Sequence, residues 1–150
     1  MTSIKEFTNF YGLAFMLVIM IPNIIFAVKN KDGFENLWKN KFVELFEQIG
    51  RFGCFAFMIV IIPGMGFSFY SKREFILYLI IDTVLLTAYV LIWILCFKTN
   101  SVFKSLALSI IPSVIFLASG ILTRYIPLIA SAVIFAPCHI LISYKNAKMN

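Results

Sequence analysis

Charge is what this sequence has least of. Only 13% of its 150 residues are Asp, Glu, Lys or Arg, whereas 61% are hydrophobic. An ordinary soluble domain carries about 25% charged and about 45–50% apolar residues. A water-soluble chain of this length has too little interior to hide that much apolar surface, so lipid must cover the remainder. Histidine occurs once, which excludes mechanisms built on a histidine pair. Cysteine occurs three times, at Cys54, Cys96 and Cys138, each inside a hydrophobic run and none in a CxxC pair. They read as small packing residues rather than a disulfide framework. There is no GxSxG, HExxH or Walker loop, and no metal-ligand cluster. No catalytic residue, metal or cofactor is implied. No repeat, low-complexity tract or linker divides the chain, so residues 1–150 form one transmembrane helical domain.

What the sequence does have is apolar runs of spanning length. A helix needs about 20 predominantly apolar residues to cross the hydrocarbon core. Five segments qualify: Phe10 to Val28, a stretch between Phe42 and Tyr70, Phe75 to Phe97, Phe103 to Leu122, and Ile126 to Tyr144. The expected fold is all-α, a polytopic integral membrane protein with five transmembrane helices in an antiparallel bundle, because the connections are short. The first run is expected to stay as a permanent helix. It is too long for a signal-peptide core, and no small-x-small cleavage site follows it.

The net charge of +6 is not a nucleic-acid signal, because the basic residues stand singly or in pairs between hydrophobic runs. They set topology instead. With five spans, Lys29, Lys31, Lys39, Lys41, Lys98, Lys104, Lys145 and Lys148 share one side, against Lys5, Lys72, Arg73 and Arg124 on the other. The positive-inside bias then places the N-terminus outside and the C-terminus in the cytoplasm, in what reads as a bacterial plasma membrane. The bilayer is the first partner expected, with a second copy or another membrane protein as a further one.

The stretch Asp32 to Pro63 carries the polar content. Asp32-Gly33-Phe34-Glu35 has the form of a helix start, in which the two acids satisfy orphan backbone donors. Phe34, Leu37, Trp38, Phe42, Leu45, Phe46, Ile49 and Phe52 follow at helical spacing. Asn36, Lys39, Asn40, Glu44, Glu47, Gln48 and Arg51 fall on the opposite face. The expectation is an amphipathic helix leading into helix 2. In one register residues 34–49 lie flat on the membrane, and Gly50 and Gly53 bend the chain into a span from Phe52 to Tyr70. In the other, one helix runs from Phe34 until Pro63-Gly64 ends it. Arg51 to Ile62 then supplies only about 18 Å of the roughly 30 Å needed. The second register is preferred, and it draws the turns holding Glu44, Glu47 and Gln48 into the membrane. Arg51, lying about 13 Å inside the boundary, needs a partner there. Glu47, four residues earlier and acid-first, is the natural one; simple snorkelling of Arg51 toward water is the bland alternative.

Other polar residues share that depth. Asn23 follows Pro22 near the end of helix 1, where it is either helix–helix glue or a ligand contact. His139 follows Cys138 near the end of helix 5. The candidate ligand-binding set on this side is Asn23, Glu44, Glu47, Gln48, Arg51 and His139, with Ser109 nearby. Asp82, in helix 3 toward the other side, is the seventh candidate, with Arg124 as its expected partner. Ser105, Ser109 and Ser113 form a small-residue stripe that reads as packing, and Ser105 and Ser109 are expected to bond their own helix backbone. These residues point to a small solute, ion or lipid headgroup bound or transported through a cytoplasm-facing polar pocket. Two alternatives stand beside that reading: a non-catalytic accessory subunit of a membrane complex, and an enzyme modifying a lipid headgroup.

Overall fold

The computed structural model describes residues 4–149. The fold is all-helical: a single turn, α1 (Ile4–Phe7), and five long helices, α2 (Phe10–Lys29), α3 (Lys41–Ile59), α4 (Lys72–Leu95), α5 (Val102–Leu122) and α6 (Ile126–Met149). Four of them, α2, α4, α5 and α6, are long and apolar enough to cross a membrane. The expected five-span bundle is met only to that extent, because Lys41, Glu44, Glu47 and Arg51 make α3 too charged to qualify by composition.

The helices pack as a ring. The most extensive seams join α3 to α6, α6 to α5 and α5 to α4, while α2 touches α4 and α3 more lightly. Helices consecutive in the chain run antiparallel where they meet, as Asp82 of α4 on Ser119 of α5 and Trp93 further along α4 on Lys104 near the start of α5 show, whereas α2 and α4 close the ring in parallel, through Asn9 on Tyr78 and Asn23 on Tyr89. The buried interior is largely aromatic, with Tyr78, Tyr89, Phe116, Tyr125 and Phe135 beside Met58 and Ile115. The outside is apolar as well. Leu17, Ile21, Ile24 and Val28 of α2 and Ile76, Ile80, Val84, Leu91 and Ile94 of α4 are exposed. On a soluble protein such a surface marks an interaction site; on helices of spanning length it suits lipid.

Two expectations about α3 are corrected. The helix does not start at Asp32, which lies in a turn over residues 31–34. It starts at Lys41, where the Asn40 side chain accepts a bond from the Val43 N–H at 3.3 Å and Glu44 accepts one from the Asn40 N–H at 3.1 Å. The reciprocal pairing read into Asp32 and Glu35 is thus made by Asn40 and Glu44, at the first turn of the helix. The helix also does not reach Pro63. It ends at Ile59 because Val60 pairs with Thr8 as an isolated antiparallel bridge, and the Ile61 N–H donates to the Phe7 carbonyl at 2.8 Å. Backbone partners outside the helix stop it before proline can. The register with a span from Phe52 to Tyr70 is overturned with it, since residues 60–71 cross the end of the bundle as irregular chain. Gly64 and Gly66 turn that crossing at φ values of 82° and 98°, the left-handed region that favours glycine.

Gly50 and Gly53 do not bend α3 but bring it against α6. A Cβ on Gly50 would lie 2.6 Å from the Phe135 backbone nitrogen and 2.7 Å from its Cα, and a Cβ on Gly53 would collide with Ser131. Small residues of this kind let helices approach closely where no solvent drives them together. Gly50→Ala should therefore force the two backbones apart at a cost of about 1–3 kcal/mol, the usual penalty of overpacking. Thermal unfolding in detergent checks this; a transition unchanged from wild type would mean the seam is loose.

Candidate functional site

The α3–α6 seam delivers Glu47 to the interior. Gly50 and Gly53 sit one and two turns further along α3, and Phe135 and Ser131 occupy the matching turns of α6. One turn the other way, the same register places Glu47 opposite His139. Glu47 is 2% exposed, a burial that a carboxylate tolerates only with partners. It has two. Arg51 donates from Nε to Glu47 Oε1 at 3.0 Å and also from Nη2 to the same oxygen. His139 Nδ1 lies 2.8 Å from Oε1 as well; against an ionised carboxylate that nitrogen carries the proton. The imidazole is stacked on Phe135, centroids 4.5 Å apart and planes 20° from parallel, which fixes its orientation. The expected Glu47–Arg51 pair thus exists, and His139 completes a cluster drawn from two helices.

The cluster forms part of the wall of a cavity of about 1320 Å³. The cavity opens at the lysine-rich end of the bundle, between the 30–40 segment, the 97–101 connection and the last turns of α6. Asn23, Glu44, Glu47, Gln48, Arg51 and His139 all line it, as does Ser109. Each arrives differently. Asn23 donates to the Tyr89 hydroxyl at 2.7 Å, tying α2 to α4, and to the Ile19 carbonyl at 2.7 Å. The carbonyl that Pro22 releases, that of Val18, is not the one Asn23 reaches. Glu44 accepts from the Asn36 side chain at 2.8 Å, which pins the 30–40 segment over α3. Gln48 and Leu45 line the cavity and remain exposed. The Ser109 hydroxyl donates to the Leu106 carbonyl and that of Ser113 to the Ser109 carbonyl, so these serines bond their own helix, as expected of Ser109.

Asp82 is not part of this cavity. Tyr89 is the α4 residue lining its deepest reach, and Asp82 lies about 10 Å further along the helix. Its expected pairing with Arg124 is also corrected. Arg124 forms a bidentate pair with Glu74, at 2.9 and 2.8 Å, and its guanidinium covers the Tyr70 ring at 3.6 Å. Hydrogen bonding to Glu74 pushes the guanidinium further above its ordinary pKa. Asp82, fully buried, accepts instead from the Ser119 hydroxyl at 2.5 Å, while its Oδ1 has no partner among the described residues. Arg124 lies in the connection after α5, at the rim opposite the cavity mouth and two turns of α4 away from Asp82, and the acid nearest that rim, Glu74, takes it.

Among the cavity residues that the sequence did not mark as such are Tyr89, Trp93 and Lys104. Lys104 is 6% exposed, yet among the described residues it pairs with no carboxylate. Its ammonium donates to the carbonyls of Phe97 at 3.2 Å and Thr99 at 3.1 Å, and lies over the rings of Phe26 and Trp93 at 4.7 and 5.3 Å. It thereby satisfies carbonyls just beyond the C-terminus of α4, where a cation is favoured. The signal was present, since Lys104 is the single cation in the first turns of a run rich in Leu, Ile and Ser. Trp93 Nε1 is buried beside the cavity with no hydrogen-bond partner among the described residues.

Arg51→Leu should leave Glu47 buried with His139 alone and lower stability by about 1–3 kcal/mol, the cost of stripping a partner from a buried polar group. Glu47→Gln combined with Arg51→Gln should be milder, because no charge is then stranded. Comparing thermal transitions of the single and double variants checks this; equal behaviour would mean the pair is solvated. No family model, curated protein or solved structure matches the chain.

Proposed function

We propose that this chain is a five-span membrane protein that binds a small polar ligand in a cavity open to the cytoplasm. The observation that carries the reading is convergence. Polar residues from α2, α3 and α6, separated by as much as 116 positions between Asn23 and His139, face one cavity, and the most buried of them is a carboxylate. Placing ionisable groups at membrane depth is costly, and a bundle that needed only to fold has apolar residues available at those positions.

Two features favour α3 as the fifth span. Its outer face, Phe42, Leu45, Phe46, Ile49 and Phe52, is exposed and apolar along most of its length. Its charges lie on the other face, toward α6 and the cavity, so its low overall hydropathy reflects what it encloses. It also runs beside α2 from the Asn9–Ile59 contact at one end to the level of the cavity mouth at the other.

Binding is favoured over conduction by what lies past the cavity. The outer end is filled by the crossing chain of residues 60–71. The Tyr125 hydroxyl accepts from the Ile62 N–H at 2.9 Å and donates to the Val60 carbonyl at 3.0 Å, and Ser68 N–H donates to the Thr123 carbonyl. A through path from the Glu47 cluster past Asp82 to the far end of the bundle would have to break that packing. Glu47 itself is engaged by both Arg51 and His139 through one oxygen, an arrangement that suits an electrostatic anchor better than a general base.

Two measurements test the proposal. Native mass spectrometry from mild detergent should show a co-purifying small molecule at one per chain, absent when Glu47 and Arg51 are both changed to Leu; no retained mass, together with unaltered thermal behaviour of the double variant, would remove the ligand. Five spans put the termini on opposite sides, so a tag at the C-terminus should be shielded from an impermeant label in intact cells and one at the N-terminus should react. Both tags reacting alike would mean that α3 does not cross.

A further inference from the structure

We infer that the ligand is an uncharged, hydroxyl-bearing molecule, its hydroxyl hydrogens received by His139 Nε2 and Glu47 Oε2 and its carbon skeleton laid on an aromatic wall. This rests on the cavity reading above and goes on to name the chemical class.

The charges around the cavity favour neither sign. At the mouth Lys31, Lys41 and Lys98 stand among Asp32, Glu35 and Glu44, and no ion pair joins any of them among the described residues. Further in, Glu47 and Arg51 balance one another. The remaining cation, Lys104, is turned onto the carbonyls of Phe97 and Thr99. An ion entering this space would give up its hydration without meeting an excess of opposite charge, and that loss is costly.

What the wall offers instead is acceptors. Arg51 and His139 both bind Oε1 of Glu47, so Oε2 is left over. With Nδ1 carrying the proton toward Glu47, and Arg51 balancing that carboxylate, Nε2 of His139 is the lone-pair nitrogen of a neutral ring. Asn23 directs its amide hydrogens to Ile19 and Tyr89, which leaves its Oδ1. None of these acceptors has a partner among the described residues, and none is shut in by protein atoms. A donor lines the same cavity. The Tyr89 hydroxyl accepts from Asn23 and gives its own hydrogen to nothing among the described residues. A hydroxyl group both donates and accepts, so it answers such a wall without bringing charge.

The apolar side of the ligand is read from the same imidazole. His139 stacks on Phe135, Phe135 meets Phe116 edge to face with centroids 5.8 Å apart, and Phe116 meets Phe55 at 6.1 Å. All four line the cavity, so an aromatic wall continues directly from the acceptor. Water alone would satisfy the polar atoms and leave that wall wet, at a cost that grows with its area. A molecule with hydroxyls along one edge and C–H groups along the other covers both, as ligands do in pockets that are mainly apolar with a few placed polar groups. A free polyol and the glyceryl head of an uncharged lipid share this chemistry.

The test uses the purified full chain in an amine-oxide detergent, which brings no hydroxyl of its own. His139 is the single histidine, so an isotopic nitrogen label on histidine reports it alone. The spectrum is expected to show the proton on Nδ1, and added myo-inositol or monoacylglycerol should move the Nε2 signal. Thermal unfolding follows inositol, and native mass spectrometry follows monoacylglycerol against the methyl ester of the same acyl chain. Binding of inositol would identify a free polyol, and retention of monoacylglycerol alone a lipid head; either upholds the class. His139→Asn keeps an amide N–H toward Glu47 and removes the Nε2 acceptor. It should still fold and should bind about tenfold more weakly, the loss expected for one hydrogen bond; if it does not fold, the wild-type nitrogen signals carry the test. A proton on Nε2 would overturn the inference, as would glycerol phosphate or ethanolamine binding as tightly as the uncharged probes. Failure of both uncharged probes, with a small molecule still co-purifying, would overturn the hydroxyl class and leave the cavity reading standing. Silence in every arm, co-purification included, would remove both.

Discussion

A carboxylate at the seam of two helices governs this structure. Glu47 is enclosed by α3 and α6, and the free energy of enclosing it is met by Arg51 from its own helix and His139 from the facing one. Both partners approach the same oxygen, so the position of each is set by the other through Glu47. The arrangement needs the two backbones close together, and Gly50 and Gly53 provide that closeness. The stacking of His139 on Phe135 then holds the imidazole at the required angle. The seam, the glycines and the charged cluster form a single construction, in which removing any part exposes the others to an uncompensated cost.

The consequences spread outward from α3. Since its polar face is occupied inward, its Phe-rich face turns out. The 30–40 segment is drawn over the helix start by Asn36 and Asn40 on Glu44 and is tied to α6 by the Trp38 N–H donating to Asn146. The far end of α3 is tied to α1 and α2 by the short bridge at Thr8 and Val60. α2 is therefore fastened to α3 at one end and to α4 through Asn23 and Tyr89, and the cavity occupies the space these attachments leave unfilled.

How much of this could be read from the chain depended on whether the signal was local. The apolar runs gave the positions of α2, α4, α5 and α6 closely, because a spanning helix satisfies its own backbone and depends little on context. The Glu47–Arg51 pair was legible for the same reason, being one helical turn. The boundaries of α3 were not. Asp32 and Glu35 have the residue types of a cap, but Asn40 and Glu44 have them as well, and which pair is used depends on where the 30–40 segment is anchored. Pro63 looked like the terminator, yet the end was set by Thr8 and Phe7, more than fifty residues earlier in the chain. Arg124 showed a related failure. It was assigned to the acid in the middle of α4, Asp82, when a second acid at the start of that helix, Glu74, lay nearer the rim. The convergence of Asn23 and His139 with α3 required helix rotations that periodicity leaves undetermined.

The composition of α3 also bears on how such chains are read. A hydropathy window averages the two faces of a helix, which is sound where both faces meet lipid or apolar neighbours. In α3 the faces differ in kind. Four charged side chains within eleven residues, Lys41 to Arg51, lower the average, while Phe42, Leu45, Phe46, Ile49 and Phe52 offer lipid as apolar a surface as the neighbouring helices do. A helix that lines a polar cavity must look this way, because the residues that serve the cavity are the ones that spoil the average. On the proposed five-span reading, the segment that fails the spanning criterion is the one on which the site is built: an apolar stripe on one face and a buried acid on the other are what a wall of the cavity requires.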